Sequence, residues 1–229
     1  MSATPPPLDW QPILVAAGAS QRFGSRNKLL QLIDGEPIVI RSLRVLVSLP
    51  SPHPPVAVVS SETRDVIAAW AKQEGIAKLQ LVPGGERRRD SVEAALRVCT
   101  ADYVAVHDGA RPLATTALLE RLLTAAAGEA GAVPAIALVD TIAVVEVRDR
   151  LSSQLDRSTL RAVQTPQVVR REDWLRAAAL DPTDVTDDAA MLLRLGLKCR
   201  LVEGEAANLK VTRPADLDVI RALAGEGTN

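Results

Sequence analysis

Three short apolar runs, each of strand length, punctuate the first half of the chain: Ile13-Leu-Val-Ala-Ala17, Val56-Ala-Val-Val-Ser60 and Tyr103-Val-Ala-Val-His107. Each is continuous rather than alternating and ends in a turn or polar segment, the pattern of a strand buried on both faces. A fourth apolar run covers Leu79 to Val82. Helical patterns lie between them. Pro37 to Leu49 carries Ile38, Leu43, Leu46 and Val47 at helical spacing, with Pro37 suited to a first turn. Glu62 to Glu74 and Arg89 to Val98 also read as helices. Strands alternating with helices predict βαβ units and a mainly parallel sheet.

The middle of the chain changes character. Asp140 to Val147 is β-branched, Asp149 to Ser158 is charged and polar, and Ala162 to Val169 is extended again. That sequence predicts a hairpin projecting from the main body. Helices recur over Arg171–Ala179, Asp187–Leu195 and Pro214–Leu223, and the tail Gly225–Asn229 reads as disordered. Ser51-Pro-His-Pro-Pro55 is a stiff surface loop inside one fold rather than a linker. The chain therefore reads as α/β and Rossmann-like, with helices on both faces of the sheet and a projecting β-arm. The expected organisation is one domain over 1–229, with the arm inserted at about 139–162.

Composition narrows the function classes. The 229 residues are 47% apolar but only 2% aromatic, so the core must be aliphatic. A net charge of −1 gives no reason to expect nucleic acid or an acidic membrane as partner. No apolar run approaches the ~20 residues of a membrane span, and the polar, proline-rich start has no signal core. Cys99 and Cys199 read as free thiols of a reducing compartment, and two histidines cannot build a zinc site. A cytoplasmic protein is expected.

The strand at Ile13 runs into Gly18-Ala-Ser-Gln-Arg22-Phe-Gly24-Ser-Arg-Asn-Lys28. Small residues leaving a strand let backbone N–H groups approach an anion, and Arg22 and Lys28 add positive charge. The segment is neither a Walker A motif nor a GxGxxG fingerprint, which argues against a dehydrogenase. Spacing alone leaves an ordinary βα turn open. Ala16-Ala-Gly-Ala-Ser-Gln-Arg-Phe-Gly24 followed by Lys28 nevertheless resembles the N-terminal signature of the sugar- and polyol-nucleotide pyrophosphorylases. Ser20 departs from that signature, which usually has glycine there.

Further segments are similar to the polyol-phosphate cytidylyltransferases, the methylerythritol phosphate cytidylyltransferases above all. They are Pro83-Gly-Gly-Glu-Arg-Arg-Arg-Asp-Ser91, His107-Asp-Gly-Ala-Arg-Pro112, Asp140-Thr141, Asp156-Arg157, Gln164-Thr-Pro-Gln167, Thr186-Asp-Asp188 and Asn208-Leu-Lys-Val-Thr-Arg-Pro-Ala-Asp216. The resemblance implies that Arg22 and Lys28 stabilise charge at the transferring phosphorus. It implies nucleotide contacts from Ala16, Ala17, Gly18, Gly85, Glu86 and Ser91, with Arg88 supporting their loop. Asp108, Arg111, Thr141, Arg157 and Lys210 would contact the acceptor. Thr165 would either touch substrate or pack the strand. Mg²⁺ or another divalent cation would ride mostly on the CTP phosphates, with Asp108 as its protein ligand if it has one. His107 is given no proton transfer, because a phosphate monoester is already largely dianionic at neutral pH. A homodimer through the arm is implied.

The expected reaction moves CMP from CTP to 2-C-methyl-D-erythritol 4-phosphate, an isoprenoid precursor step. D-Ribitol 5-phosphate is the alternative acceptor, and a non-catalytic nucleotide-binding module the more distant alternative.

Overall fold

The computed structural model describes residues 8–18, 23, 27–76, 78–181, 183 and 187–226. The chain begins with β1 (Trp10–Ala16) and, after a 3-10 turn at Lys28–Leu30, a small ribbon of β2 (Leu32–Ile33) and β3 (Glu36–Pro37). Then α1 (Ile38–Val47), β4 (Val56–Val59), α2 (Ser61–Gln73), β5 (Gln80–Pro83), α3 (Arg88–Val98) and β6 (Tyr103–Asp108) alternate. Next come α4 (Thr116–Ala126), β7 (Gly131–Ala137) and a hairpin of β8 (Ile142–Glu146) and β9 (Arg150–Leu155). The last part holds β10 (Arg161–Val163), β11 (Gln167–Arg170), α5 (Arg171–Leu180), α6 (Asp188–Leu193), β12 (Arg200–Glu203) and α7 (Pro214–Glu226).

The main sheet has eight strands. β5, β4, β1 and β6 lie side by side and parallel. β11 runs antiparallel between β6 and β7. β10 continues along the same edge of β7, and β12 pairs with its other edge in parallel. Chain order from β1 goes outward through β4 to β5 and then jumps across β1 to β6. That reversal is a topological switch point, where loops at the carboxyl ends of neighbouring strands diverge and leave a crevice.

The continuous apolar strands need two covered faces, and the core is split accordingly. Leu14 and Ala16 of β1, Ala57 and Val59 of β4, and Tyr103 and Ala105 of β6 pack with α1, α4 and α7. Ile13, Val56, Val58, Val104 and Val106 point the other way, toward Val92 and Leu96 of α3, Trp174 of α5 and Met191 of α6. This strict alternation of partners along uniformly buried strands sends each side chain to one layer or the other.

Local signals explain several boundaries. Ser60 caps α2 reciprocally with Thr63, whose hydroxyl also donates to the Ala16 carbonyl at 2.9 Å. Asp187 caps α6 by accepting from the Ala190 N–H. Three expectations need adjusting. Pro37 stands just before α1 rather than in its first turn. The extended stretch at 162–169 is two strands, β10 and β11, separated at 164–166. Gly225 and Glu226 belong to α7, not to a disordered tail, while 227–229 fall outside the described residues. Sequence reading missed α4, β7 and β12 altogether.

The β8–β9 hairpin forms a sheet of its own. It turns through 147–149, with Arg148 and Asp149 at positive φ, and carries a bulge at Val144/Val145. The side chains of β9 are exposed throughout.

Candidate active site

A cleft opens at the switch point. Val15, Ala17 and Gly18 line it from the end of β1, Asp108, Gly109 and Ala110 from the end of β6, and Gly85 to Arg88 with Ser91 from the β5–α3 connection. Lys28, Leu29 and Lys210 complete the wall. Segments 15–18, 85–91, 108–110 and 210, remote in sequence, thus converge where the topology predicts a ligand site.

Steric reasons fix the two glycines. A Cβ on Gly84 would sit 2.1 Å from the Ala17 Cβ, and one on Gly85 would sit 2.5 Å from the Asp90 Cβ. Gly84 therefore lets the β5–α3 connection press against the end of β1. The Gly85 N–H donates to the Ser91 hydroxyl at 3.0 Å, so Ser91 shapes this loop from inside. Asp90 reaches back to accept from the Arg87 N–H at 3.1 Å. The Arg87 side chain first, and then its N–H, hold the Asp90 carboxyl below its usual value against an opposing pull from burial.

Asp108 is the electrostatic centre. Lys210 Nζ donates to its Oδ2 at 2.7 Å, Arg88 Nε approaches Oδ1 at 3.3 Å, and Arg111 Nε lies 3.8 Å from Oδ2. Burial alone would raise the Asp108 carboxyl, but Arg88, Lys210 and Arg111 together hold it below the usual carboxylate range. Arg88 also makes a two-pronged contact with Asp188, NH2 to Oδ2 at 2.8 Å and NH1 to Oδ1 at 3.3 Å. Asp188 is 1% exposed and accepts from Trp174 Nε1 at 3.3 Å as well. Burial would lower the Arg88 guanidinium, and the two carboxylates outweigh it and raise it.

His107 is locked behind this cluster. Its Nε2 faces the Arg111 carbonyl at 3.1 Å, which can only accept, so Nε2 carries the proton. Nδ1 is then left to accept from the Thr165 hydroxyl at 2.9 Å, while that hydroxyl's oxygen accepts the Asp108 N–H at 3.1 Å. Burial pushes the imidazole down to about 4, against the pull of Asp108. A neutral ring with both nitrogens engaged and no exposure is a structural part, not a proton shuttle.

Lys28 Nζ donates to the Val211 carbonyl at 2.9 Å, tying the first loop to the segment that carries Lys210. The Asn208 amide donates to the Thr165 carbonyl, and Arg111 NH1 to the Asn208 carbonyl at 2.8 Å.

The structure thus brings Lys28, Ala17, Gly18, Gly85, Glu86, Ser91, Asp108 and Lys210 into one lining. Other expected contacts sit elsewhere. Ala16 is fully buried in the core. Arg111 stands behind Asp108, outside the lining, where burial lowers its guanidinium from the usual value. Thr165 is buried and its hydroxyl is committed to His107 and Asp108. Thr141 is exposed at the root of the hairpin, and Arg157, also exposed, donates to the Val139 carbonyl; neither lines the cleft. Arg22 and Ser20 lie outside the described residues. Arg88, read from sequence as a loop support, faces the cleft itself, and it pairs with Asp188 of the Thr186-Asp-Asp188 motif, which stands outside the lining. Only a contact across 100 residues of sequence reveals that pair.

Against known families, residues 11–225 match the model described as 2-C-methyl-D-erythritol 4-phosphate cytidylyltransferase. A protein of that name from Bacillus cytotoxicus is 36% identical over 211 residues, covering 90% of this chain and 93% of its own length. The crystal structure of the Thermus thermophilus protein of that name is 26% identical, with a TM-score of 0.75 over 93% of this chain and 98% of that one. The fold is also that of the 4-diphosphocytidyl-2C-methyl-D-erythritol synthase structure from Anaerococcus prevotii, with a TM-score of 0.83 at 19% identity over 95% and 96% of the two chains.

Proposed function

The chain belongs to the 2-C-methyl-D-erythritol 4-phosphate cytidylyltransferase family, and on that premise we infer that it transfers the cytidylyl group of CTP to 2-C-methyl-D-erythritol 4-phosphate. The products are 4-diphosphocytidyl-2-C-methyl-D-erythritol and pyrophosphate, a step toward isoprenoid precursors. The observation that carries the reading is the presence of Lys28 and Lys210 in one cleft at the switch point, lined opposite by small residues of β1 and the β5–α3 loop.

The chemistry follows from that arrangement. An oxygen of the acceptor phosphate attacks the α-phosphorus of CTP, and the bond from that phosphorus to the bridging oxygen of pyrophosphate breaks. The acceptor phosphate has a second pKa of about 6 and is mostly dianionic at neutral pH, so no protein base is required. His107, neutral and enclosed, agrees with that. What the protein must supply is alignment of two anions and compensation of the charge that gathers on the phosphate oxygens. Lys28, with Arg22 six residues before it in the sequence, is the group for the triphosphate. Lys210, oriented by Asp108, is the group for the acceptor phosphate. Ala17, Gly18, Gly85, Glu86 and Ser91, which line the cleft, are the groups for the cytosine and ribose.

Among the described residues no three His, Cys, Asp or Glu side chains gather as a cation cage. Asp108 and Glu86 are the carboxylates of the lining, and Asp108 already holds Lys210. Such a set fits a divalent cation, Mg²⁺ above all, that takes most of its oxygens from the triphosphate, with Asp108 as its nearest protein carboxylate. When bound, the ion shares in neutralising the phosphates.

The hairpin supports a homodimer. Val139, Val144, Val145, Val147, Leu151 and Leu155 are all exposed on or beside it, with Val147 at 89% and Leu151 at 65%. Apolar side chains gathered on one projection mark a surface that a partner covers, and a second copy would bring Thr141 and Arg157 to an acceptor pocket. No helix among the described residues is long and apolar enough to cross a membrane, and we place the enzyme in the cytoplasm.

The test is pyrophosphate release with CTP and Mg²⁺, comparing 2-C-methyl-D-erythritol 4-phosphate with D-ribitol 5-phosphate. Release that requires the methylerythritol phosphate is expected. Preference for ribitol phosphate would overturn the acceptor, and silence with both would overturn the activity.

A further inference from the structure

Arg88 spans the cleft between its two halves. It opens α3, on the nucleotide side, yet its Nε reaches Asp108 Oδ1 at 3.3 Å, on the acceptor side. Asp108 uses its other oxygen, Oδ2, to hold Lys210 at 2.7 Å. The far end of Arg88 is gripped by Asp188 through two contacts, and Asp188 is gripped in turn by Trp174 Nε1 and, through its own N–H, by Gln167 Oε1 at 3.0 Å. Asp188 does not line the cleft.

Charge accounts for the design. Arg88, Lys210 and Arg111 surround Asp108, and a lone carboxylate among three cations would be drawn to whichever is least restrained. A guanidinium is a planar fork with fixed donor directions, so anchoring one edge fixes the remaining N–H. With NH1 and NH2 given to Asp188, Arg88 offers Asp108 only Nε, and Oδ2 stays available to Lys210.

We propose that Asp188 and Arg88 form a positioning pair that sets the Asp108 carboxylate and, through it, the Lys210 ammonium that receives the acceptor phosphate. The proposal rests on the cytidylyl-transfer reading of the cleft. Neither residue is assigned contact with the reacting atoms. The pair ties the N-terminus of α6 to the N-terminus of α3, so the acceptor side is tuned by an element that never meets substrate.

The expected signature is selective. Asp188→Asn keeps the size of the side chain and an acceptor for Trp174 but removes the charge and one acceptor from Arg88. Arg88 then turns more fully to Asp108 and competes with Lys210. The KM for methylerythritol phosphate should rise about tenfold, the loss expected for one charge-assisted hydrogen bond. The Kd for CTP, titrated calorimetrically without acceptor, should move less than about threefold on the same scale. Arg88→Lys, which cannot grip Asp188 with a fork, should act the same way, and the double variant should be no worse than either single one.

Wild-type turnover measured alongside separates the two levels of inference. Without wild-type pyrophosphate release, the reading of the cleft fails. With it, three results would overturn the pair's role alone: an unchanged acceptor KM, losses that add in the double variant, or a CTP Kd that weakens in step with the acceptor KM. Should Asp188→Asn not fold, as judged by circular dichroism, the split between CTP and acceptor in Arg88→Lys decides. Failure of both to fold would make the pair an element of the fold and end the proposal.

Discussion

At the cleft, buried charge is enclosed by opposite charge; on the β8–β9 hairpin, apolar side chains face outward. Asp108 and Asp188 are almost fully buried, each within hydrogen-bond reach of a cation. Val147 and Leu151 stand exposed on a ribbon that pairs only with itself among the sheets. The charge pairing of Asp108 and Asp188 is completed within one chain, because an uncompensated buried ion costs several kcal/mol and the fold supplies each counter-charge. The second region is unfinished, because a two-stranded hairpin with an exposed apolar face is marginal on its own. Charge compensation is thus concentrated where phosphates must be aligned, and apolar exposure on the hairpin that we propose a second copy covers.

Three experiments press on this contrast. The largest effect belongs to the cleft. Lys28→Ala should lower kcat by about 100-fold or more, the loss typical of a charge-stabilising group, while CTP binding weakens far less. A loss of only a few-fold in steady-state kinetics would remove Lys28 from the transition state.

The second effect is on stability. His107 is held neutral, with its proton affinity lowered from the ordinary imidazole value to about 4. Between those two values the unfolded chain binds a proton that the folded chain does not. Stability should therefore be fully present above pH 6.5 and fall as pH drops toward 4, by roughly 3 kcal/mol in all. Urea unfolding across that window should show the slope, and His107→Asn should flatten it. The Asp108 contribution is lost only lower, because its carboxyl is held below the usual range. A slope that survives in His107→Asn would mean the ring is not the enclosed group described here.

The smallest effect is expected on the hairpin. Leu151→Asp should weaken self-association about tenfold or more in sedimentation velocity, since it places a charge in an apolar contact. Its effect on monomer stability should stay within about 0.5 kcal/mol, as for other exposed positions. A wild-type monomer at ~10 μM, where an association of about −8 kcal/mol or stronger would hold most chains paired, would sink the dimer and leave the exposed valines without a partner.

Much of the central fold was readable because its information is local. Uninterrupted apolar runs announce β1, β4 and β6, and apolar residues at helical spacing announce α1. β7 escaped because Gly131-Ala-Val-Pro-Ala-Ile-Ala137 is poor in β-branched residues and contains Pro134, which usually argues against an inner strand. β12 escaped because four half-polar residues give too short a pattern. At the site, Lys28, Asp108 and Lys210, each singled out by a motif, line one cleft. They could not say that Arg111 would be used behind Asp108, or that Arg88 would meet Asp188, because those pairings are fixed by the sheet order and not by spacing.

The bond from Lys28 to the Val211 carbonyl joins positions 183 residues apart. Lys210 is likewise 102 residues from Asp108. During synthesis, β1, β4, β5 and β6 all leave the ribosome well before either contact can form. A nascent chain halted short of residue 208 lacks Lys210 and the Val211 carbonyl, so the wall of the cleft is completed only as a late event in the birth of the molecule.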